Sequence, residues 1–253
     1  MTNSIAEIEF ADAIVVAGSN TTETHPVIGS LIKRAVKRGA TLIVIDPRKT
    51  DIARLAQLHL QLRVGTDIAL VNAMMNHILA AGLQNKTFIA EHTEGFEALP
   101  AHLKKYSPAA AAKISGVSAD QIRRAAELYA QAKNATILYT MGITQHICGV
   151  NNVRSLANLT MLCGQIGRPS TGLNPLRGQN NVQGACDVGA LPNVFTAYQK
   201  VDDPKAREKF EQAWGVELSG QPGLAITEAF GRFGAEVKAF ICFGENPAIS
   251  EPD

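Results

Sequence analysis

Hydrophobic positions in the first third of the chain follow two spacings in turn. Ala13-Ile14-Val15-Val16-Ala17 is an unbroken apolar run that stops at Gly18-Ser19-Asn20, the pattern of a strand buried on both faces that gives way to a loop. Val27, Ile28, Leu31, Ile32, Ala35 and Val36 then recur at helical spacing, with Lys33, Arg34, Lys37 and Arg38 opposite and Gly39 at a C-cap position. A second buried run, Thr41-Leu42-Ile43-Val44-Ile45, is stopped by Asp46-Pro47, and a short helix is expected from Thr50. Over residues 59–64, Leu60, Leu62 and Val64 alternate with His59, Gln61 and Arg63, as in a half-exposed strand. Thr66-Asp67 is placed to cap an apolar helix over residues 68–81. Strands separated by helices predict a mostly parallel sheet with right-handed crossovers, a doubly wound, Rossmann-like α/β fold.

Further along, residues 83–134 read as mostly helical. Ser118 and Gln121 form a capping box ahead of the stripe Ile122, Ala125, Ala126 and Tyr129. A strand returns over residues 136–141, and Gly142-Ile143-Thr144-Gln145 leads into a helix ending near Gly164. Between Gly167 and Pro192 the texture changes to spaced glycines, prolines and asparagines without serine or charge runs, which predicts a long ordered loop. Residues 200–235 read as surface helices, and a last strand over 237–243 ends in Gly244-Glu245-Asn246-Pro247. Two domains are expected, a nucleotide-binding one over 1–178 and an incomplete portion of a second α/β domain over 179–253. A strand this near the last residue, with no helix behind it, makes the chain read as a fragment.

Composition narrows the function classes. Lys+Arg 24 against Asp+Glu 23 leaves a net charge of +1, which argues against a nucleic-acid partner held by counterion release. Hydrophobic content of 46% with 19% charged residues is that of a folded globular chain. No uncharged apolar run approaches the ~18 residues of a membrane span, so no direct membrane insertion is expected, and MTNSIAEIEF carries no secretory pattern. Cys148, Cys163, Cys186 and Cys242 include no C-x-x-C pair, and His25, His59, His77, His92, His102 and His146 show no ligand spacing. A metal site built from this chain alone is therefore not expected.

Ligands of open parallel sheets sit beyond the carboxyl ends of the strands. Four such ends carry small or polar residues here: Gly18-Ser19-Asn20 with Glu23, Asp46-Pro47-Arg48, Gly65-Thr66-Asp67, and Gly142 with Gln145. An acid after the second strand suits a ribose diol, Arg48 suits a phosphate, and Asp67 can accept from the N1–H and amine of a guanine. Asp46 and Asp67 read equally as helix caps. G-x-G-x-x-G, Walker, G-x-S-x-G and H-E-x-x-H motifs are all absent. The stretch from Asn174 to Asn193 adds Gln179, Gln183 and one cation, Arg177, a set suited to a planar heterocycle and a small carboxylate.

That stretch closely resembles the catalytic subunits of molybdopterin-dependent formate dehydrogenases. So do Met141-Gly-Ile-Thr-Gln145, Gly164-Gln-Ile-Gly-Arg-Pro169, Gly244-Glu-Asn-Pro247, Gly18-Ser-Asn-Thr-Thr-Glu-Thr-His-Pro26 and Asp46-Pro-Arg48. The likeness runs essentially end to end. The Arg-Gly-Gln-Asn-Asn-Val-Gln-Gly-Ala-Cys-Asp run is specific to that family, whereas the strand ends are shared across the wider molybdopterin oxidoreductase superfamily. The resemblance implies a bis(molybdopterin guanine dinucleotide) cofactor with molybdenum or tungsten. It places Gly18, Ser19, Asn20, Glu23, Asp46, Arg48, Gly65 and Asp67 around one guanine dinucleotide, with Gly142, Gln145 and Gln179 toward the pterin. Gly244 and Asn246 are further cofactor-binding positions. Arg177 resembles the arginine that orients formate and stabilises charge as its C–H bond breaks, and Cys186 fits as a small buried residue.

The family also carries a [4Fe–4S]-binding N-terminal region, a metal-ligating Cys or selenocysteine with a His beside it, and a C-terminal cofactor-covering domain. None of these lies in the 253 residues, so the isolated chain is expected to be inert. Expected partners are formate, the remaining parts of the same subunit, and iron–sulfur or diaphorase electron-transfer subunits. The expected compartment is cytoplasmic, with a periplasmic one left open. Two other readings stand beside this one: a cofactor-free scaffold such as the molybdopterin-fold subunit of a respiratory NADH dehydrogenase, and a plain nucleotide-binding α/β domain.

Overall fold

A computed structural model describes residues 1–250 of the chain. It contains two compact units, Met1–Gly178 and Gln179–Asp253; residues 251–253, the end of the second expected domain, lie outside the described residues.

The first unit is built on five parallel strands, β1 (Ala13–Ala17), β2 (Thr41–Ile45), β3 (Leu58–Leu60), β4 (Ala135–Tyr139) and β5 (Gly172–Pro175), in the order β3-β2-β1-β4-β5. Its helices are α1 (Thr21–Thr24), α2 (Pro26–Lys37), α3 (Asp67–Ala80), α4 (Lys86–His92), α5 (Leu99–Leu103), α6 (Pro108–Ser115), α7 (Ala119–Gln131), α8 (Met141–Thr144) and α9 (Gly149–Leu162). The unbroken apolar runs follow from the two-residue period of a strand, which deals alternate side chains to opposite faces. Val15, Ala17, Ile43, Ile45 and Ile137 join a core with α3, α7 and α9. Ile14, Val16, Leu42, Val44 and Leu138 join a second core with Ile28, Leu31, Ile32 and Ala35 of α2. Each fully buried aliphatic side chain contributes about 1.5–3 kcal/mol, so both faces of the sheet are anchored. Helix α3 packs on α6, α7 and α9 as well as the sheet, which is why Leu70, Met74, Met75 and Ile78 are all buried. No helix among the described residues is long and apolar enough to cross a membrane.

Several expectations need correction. The short helix expected from Thr50 is a single 3₁₀ turn, Ala53–Leu55. The strand expected over 59–64 is only Leu58–Leu60, because its partner β2 ends where Ile45 pairs with Leu60. Beyond that point Arg63 N–H turns to Ser115 C=O at 2.8 Å. Thr66 stands at the N-cap of α3, but its hydroxyl donates to Arg63 C=O at 2.6 Å and caps nothing. The Ser118–Gln121 capping box does form. Part of the expected loop after Gly167 is β5, an edge strand where Pro175 is tolerated because one side of the ladder has no partner strand.

The margin of β5 is covered by the first residues of the chain. Thr2 N–H donates to Leu173 C=O at 3.4 Å, Leu173 N–H donates to Thr2 Oγ1 at 3.0 Å, and the N–H groups of Thr2 and Asn3 both reach Asn174 Oδ1. Glu7 locks this segment, its carboxylate accepting from Asn3 Nδ2, the Ser170 N–H, Ser4 Oγ and the Ser4 N–H. Those donors, Asn3 foremost, hold the Glu7 carboxyl at about 2.

The second unit contains α10 (Val182–Asp187), α11 (Pro204–Trp214), α12 (Ile226–Phe230) and α13 (Pro247–Ser250). Helix α11 is bounded by Asp203, whose side chain accepts from Lys205 N–H, and by Gly215 at φ +68°. Its Phe210 and Trp214 pack with Phe195. Gly220, Pro222 and Gly223 break the helical run expected over 200–235. The strand expected over 237–243 does not form; Val237 makes one isolated bridge to Phe233. A run of β-forming residues becomes a strand only beside a partner ladder, and among the described residues this unit has none.

Strands β1 and β4 are neighbours whose connections leave toward opposite edges, β1 to β2 and β4 to β5. At their ends Gly18, at φ +52°, and Gly142 meet main chain to main chain, with Gly142 N–H donating to Gly18 C=O at 3.1 Å. A Cβ on Gly142 would stand 2.5 Å from Gly18 O and 2.6 Å from Gly18 Cα.

Two outcomes are expected. Gly142→Ala costs about 1–3 kcal/mol in urea unfolding, as overpacking does, while Gly178→Ala, where a Cβ meets nothing nearer than the Met141 methyl at 3.7 Å, stays within about 0.5 kcal/mol. For Glu7, whose pKa is depressed on folding, the stabilisation is complete above its ordinary 4.5 and is lost as pH falls toward about 2. Glu7→Gln should therefore lower Tm at pH 7, and the gap to the parent should close between those two pH values in calorimetry.

Candidate functional site

Ala17 pairs with Ile45 on one side and with Tyr139 on the other. The next residue of each strand, Gly18, Asp46 and Thr140, therefore stands at one level, at the point where the winding reverses. The loops that follow enclose a cleft of about 240 Å³ lined by Gly18, Ser19, Asn20, Asp46, Arg48 and Gly142, joined by Thr24, Pro47 and Thr140.

Each lining group is fixed by a local cause. Gly18 N–H continues the ladder to Ile45 C=O at 2.9 Å, and its own carbonyl accepts from Thr140 Oγ1 at 2.6 Å. Asp46 is buried, and its Oδ1 accepts from Arg48 N–H at 2.8 Å, which folds the Pro47-Arg48 turn. Gln61 Nε2 donates to the Pro47 carbonyl on the same turn. Ser19 is 2% exposed, yet its hydroxyl has no partner among the described residues, and the Thr21 and Thr50 hydroxyls share that state. An unpaired buried hydroxyl costs about 1–3 kcal/mol, and of these three only that of Ser19 belongs to a residue lining the cleft.

The other expected residues lie outside this cleft. Asp67 opens α3 and is buried. Burial raises its pKa, its own backbone N–H and the nearby His146 act against that, and the charge of Asp46 adds to it. Asp67, Asp46 and His146 are thus within electrostatic reach of one another along the sheet edge. Gly65 is exposed at φ +81°, Glu23 is exposed on α1, and Gln145 is exposed at the C-cap of α8. Arg177 is exposed just after β5, and its charge partly offsets the upward shift that burial imposes on the Tyr139 phenol. Gln179, Gly244 and Asn246 belong to the second unit, where all three are exposed. Among the described residues no group of three His, Cys, Asp or Glu side chains converges to hold a metal ion.

Thr24, Thr140 and the histidines around the cleft were not among the residues expected to form it. Three imidazoles each place Nε2 on a main-chain carbonyl: His59 on Asp46 at 2.9 Å, His146 on Gly142 at 2.9 Å and His25 on Arg177 at 2.6 Å. A carbonyl only accepts, so each of these nitrogens carries a proton. The one legible signal was the four-residue spacing of Gly142 and His146, which a helical turn brings together.

The sequence pattern of the family described as Molybdopterin oxidoreductase matches residues 1–253. Among similar proteins, the F420-dependent formate dehydrogenase subunit alpha of Methanocaldococcus jannaschii is 50% identical over all of this chain, which spans 37% of that relative's length. Formate dehydrogenase H of Escherichia coli is 48% identical, again over all of this chain and over 36% of its own length. Among solved structures, acetylene hydratase from Pelobacter acetylenicus superimposes with a TM-score of 0.62 at 31% identity, over 66% of this chain and 23% of that one. With its five-stranded parallel sheet and a family pattern that runs its whole length, the chain belongs to the molybdopterin oxidoreductase family.

Proposed function

We propose that this chain is the central, cofactor-binding part of a formate dehydrogenase alpha subunit, with the guanine dinucleotide of its molybdopterin seated at the carboxyl edge of the sheet. The observation that carries this reading is the level triplet Gly18, Asp46 and Thr140 beside the buried, unpartnered Ser19 hydroxyl. The residues present fit such a group. The side-chain-free contact of Gly18 and Gly142 lets a large ligand approach the main chain, and Ser19 offers a donor to a phosphate or sugar oxygen. Asp46 spends Oδ1 on its own turn, which leaves Oδ2 for a ribose hydroxyl. Arg48, exposed beside it, matches a phosphate.

Asp67 is given the guanine, its carboxylate accepting from N1–H and the exocyclic amine. Glu23 and Gly65 flank that end, and Gln145 and Gln179 are given the pterin end. Gly244 and Asn246, within residues 179–253, are assigned to an incomplete second α/β cofactor-binding domain. Arg177 pairs with the formate carboxylate and stabilises it as the C–H bond breaks. The oxidation to CO2 releases two electrons and a proton, and the metal held by the pterin, molybdenum or tungsten, supplies that redox chemistry. A [4Fe–4S] cluster in the N-terminal region of the full subunit and iron–sulfur or diaphorase subunits would carry the electrons onward, in the cytoplasm. A cofactor-free scaffold has no use for an orphaned hydroxyl or a buried acid at this edge, and the relatives that match at 48–50% identity are formate dehydrogenases.

Because burial raises the Asp67 pKa above its ordinary 3.8, and only the carboxylate accepts both guanine protons, GDP should raise Tm increasingly as pH climbs through that shifted value. Asp67→Asn should remove both the stabilisation and its pH dependence; equal stabilisation of variant and parent by GDP would refute the guanine assignment. In the intact enzyme, Arg177→Lys trades a two-pronged pairing for a point charge, and formate kcat/KM should drop about 10- to 100-fold, the equivalent of one charge-assisted hydrogen bond.

A further inference from the structure

We infer that His25 is a positioning residue that ties the nucleotide-binding turn after β1 to the main chain of Arg177. The inference rests on the formate dehydrogenase reading above for what Arg177 does, but not for the tie itself. His25 sits between α1 and α2, 152 residues before Arg177, and its Nε2 lies 2.6 Å from the Arg177 carbonyl oxygen. Since that oxygen can only accept, Nε2 is the protonated nitrogen. The other ring nitrogen, Nδ1, lies 2.8 Å from Thr24 Oγ1, and Thr24 Oγ1 lies 3.0 Å from Asn20 C=O.

The proton count fixes the direction of the bond to Arg177. In the neutral ring Nδ1 has a lone pair and no proton, so the single proton of the Thr24 hydroxyl has two acceptors in reach, Nδ1 and the Asn20 carbonyl, and Nε2–H holds the Arg177 carbonyl whichever of them it serves. Thr24 and Asn20 both line the cleft. Through His25, the residue that follows Thr24 in the chain, a wall of the proposed nucleotide site is therefore joined to the backbone from which the proposed formate-binding guanidinium extends. Arg177 needs such a tie: it lies beyond the end of β5, its side chain is exposed, and its only ladder neighbour is Leu176, whose N–H donates to Tyr139 C=O at 2.9 Å. A guanidinium on an untied loop would sample many positions, and misplacement by about 1 Å is enough to cost on the order of 100-fold in turnover.

Glutamine can place an amide N–H near the position of Nε2, whereas phenylalanine keeps the ring and loses the donor, so His25→Gln and His25→Phe separate the bond from the bulk. In the intact formate dehydrogenase, His25→Phe should raise KM for formate about tenfold or more with bound pterin content unchanged, and His25→Gln should restore most of it. Loss of KM and pterin together in both variants would make His25 a general folding element and overturn the inference. A second readout is independent of turnover, because the carbonyl held by His25 belongs to the Arg177–Gly178 bond that trypsin cuts. His25→Phe should speed that cleavage at least about fivefold, as loss of local protection does, with His25→Gln near the parent rate; equal rates in all three proteins would overturn the tie. If cleavage responds as expected while Arg177→Lys leaves formate KM untouched, the tie stands and the substrate role of Arg177 falls. Nitrogen-15 shifts of the wild-type imidazole add a check that needs no variant: Nε2 should carry the proton, and an Nδ1–H tautomer would refute the connection.

Discussion

The arrangement depends on a single register. Because Ala17 bonds in step with both Ile45 and Tyr139, three strands stop at the same height and their next residues meet. A parallel sheet can leave a crevice there because the connections on either side wind away in opposite senses. Had β1 been one residue out of step with β4, Gly142 could not have met Gly18, and Thr140 could not have reached its carbonyl. The ladder thus does more than hold the sheet together: it sets which groups line the cleft.

Two cores keep that register in place. One face of the sheet carries α2, and the other carries α3, α7 and α9, so every residue of β1 is buried and neither face can tilt without opening a cavity. The rigid part ends where the strands do. From there the loops are held by individual hydrogen bonds, three of them between an imidazole and a main-chain carbonyl. The site is therefore polar and individually tethered, on top of a support that is apolar and collectively packed.

Legibility in the sequence follows the same division. The runs at 13–17 and 41–45 were readable because burial on both faces demands continuous apolar side chains, and the Ser118 box because capping is local chemistry. The four-residue β5 was not, since an edge strand tied by neighbours on one side needs no strong propensity of its own. The apolar run at 237–243 misled for the opposite reason: propensity was present and a partner was not. At the site, Gly18, Asp46 and Asp67 stood out by following predicted strands. His25 could not, because its partner is a carbonyl 152 positions away, and a carbonyl is the same in every residue.

The cover over β5 has a consequence for the whole sheet. Both main-chain groups of Leu173 that face away from β4 are already satisfied by Thr2, and Asn174 holds the two amides beside it. An exposed parallel edge invites a strand from another molecule to dock and extend it. Here Thr2 and Asn3 fill those vacancies, so on that flank Leu173 offers an incoming strand no free ladder group.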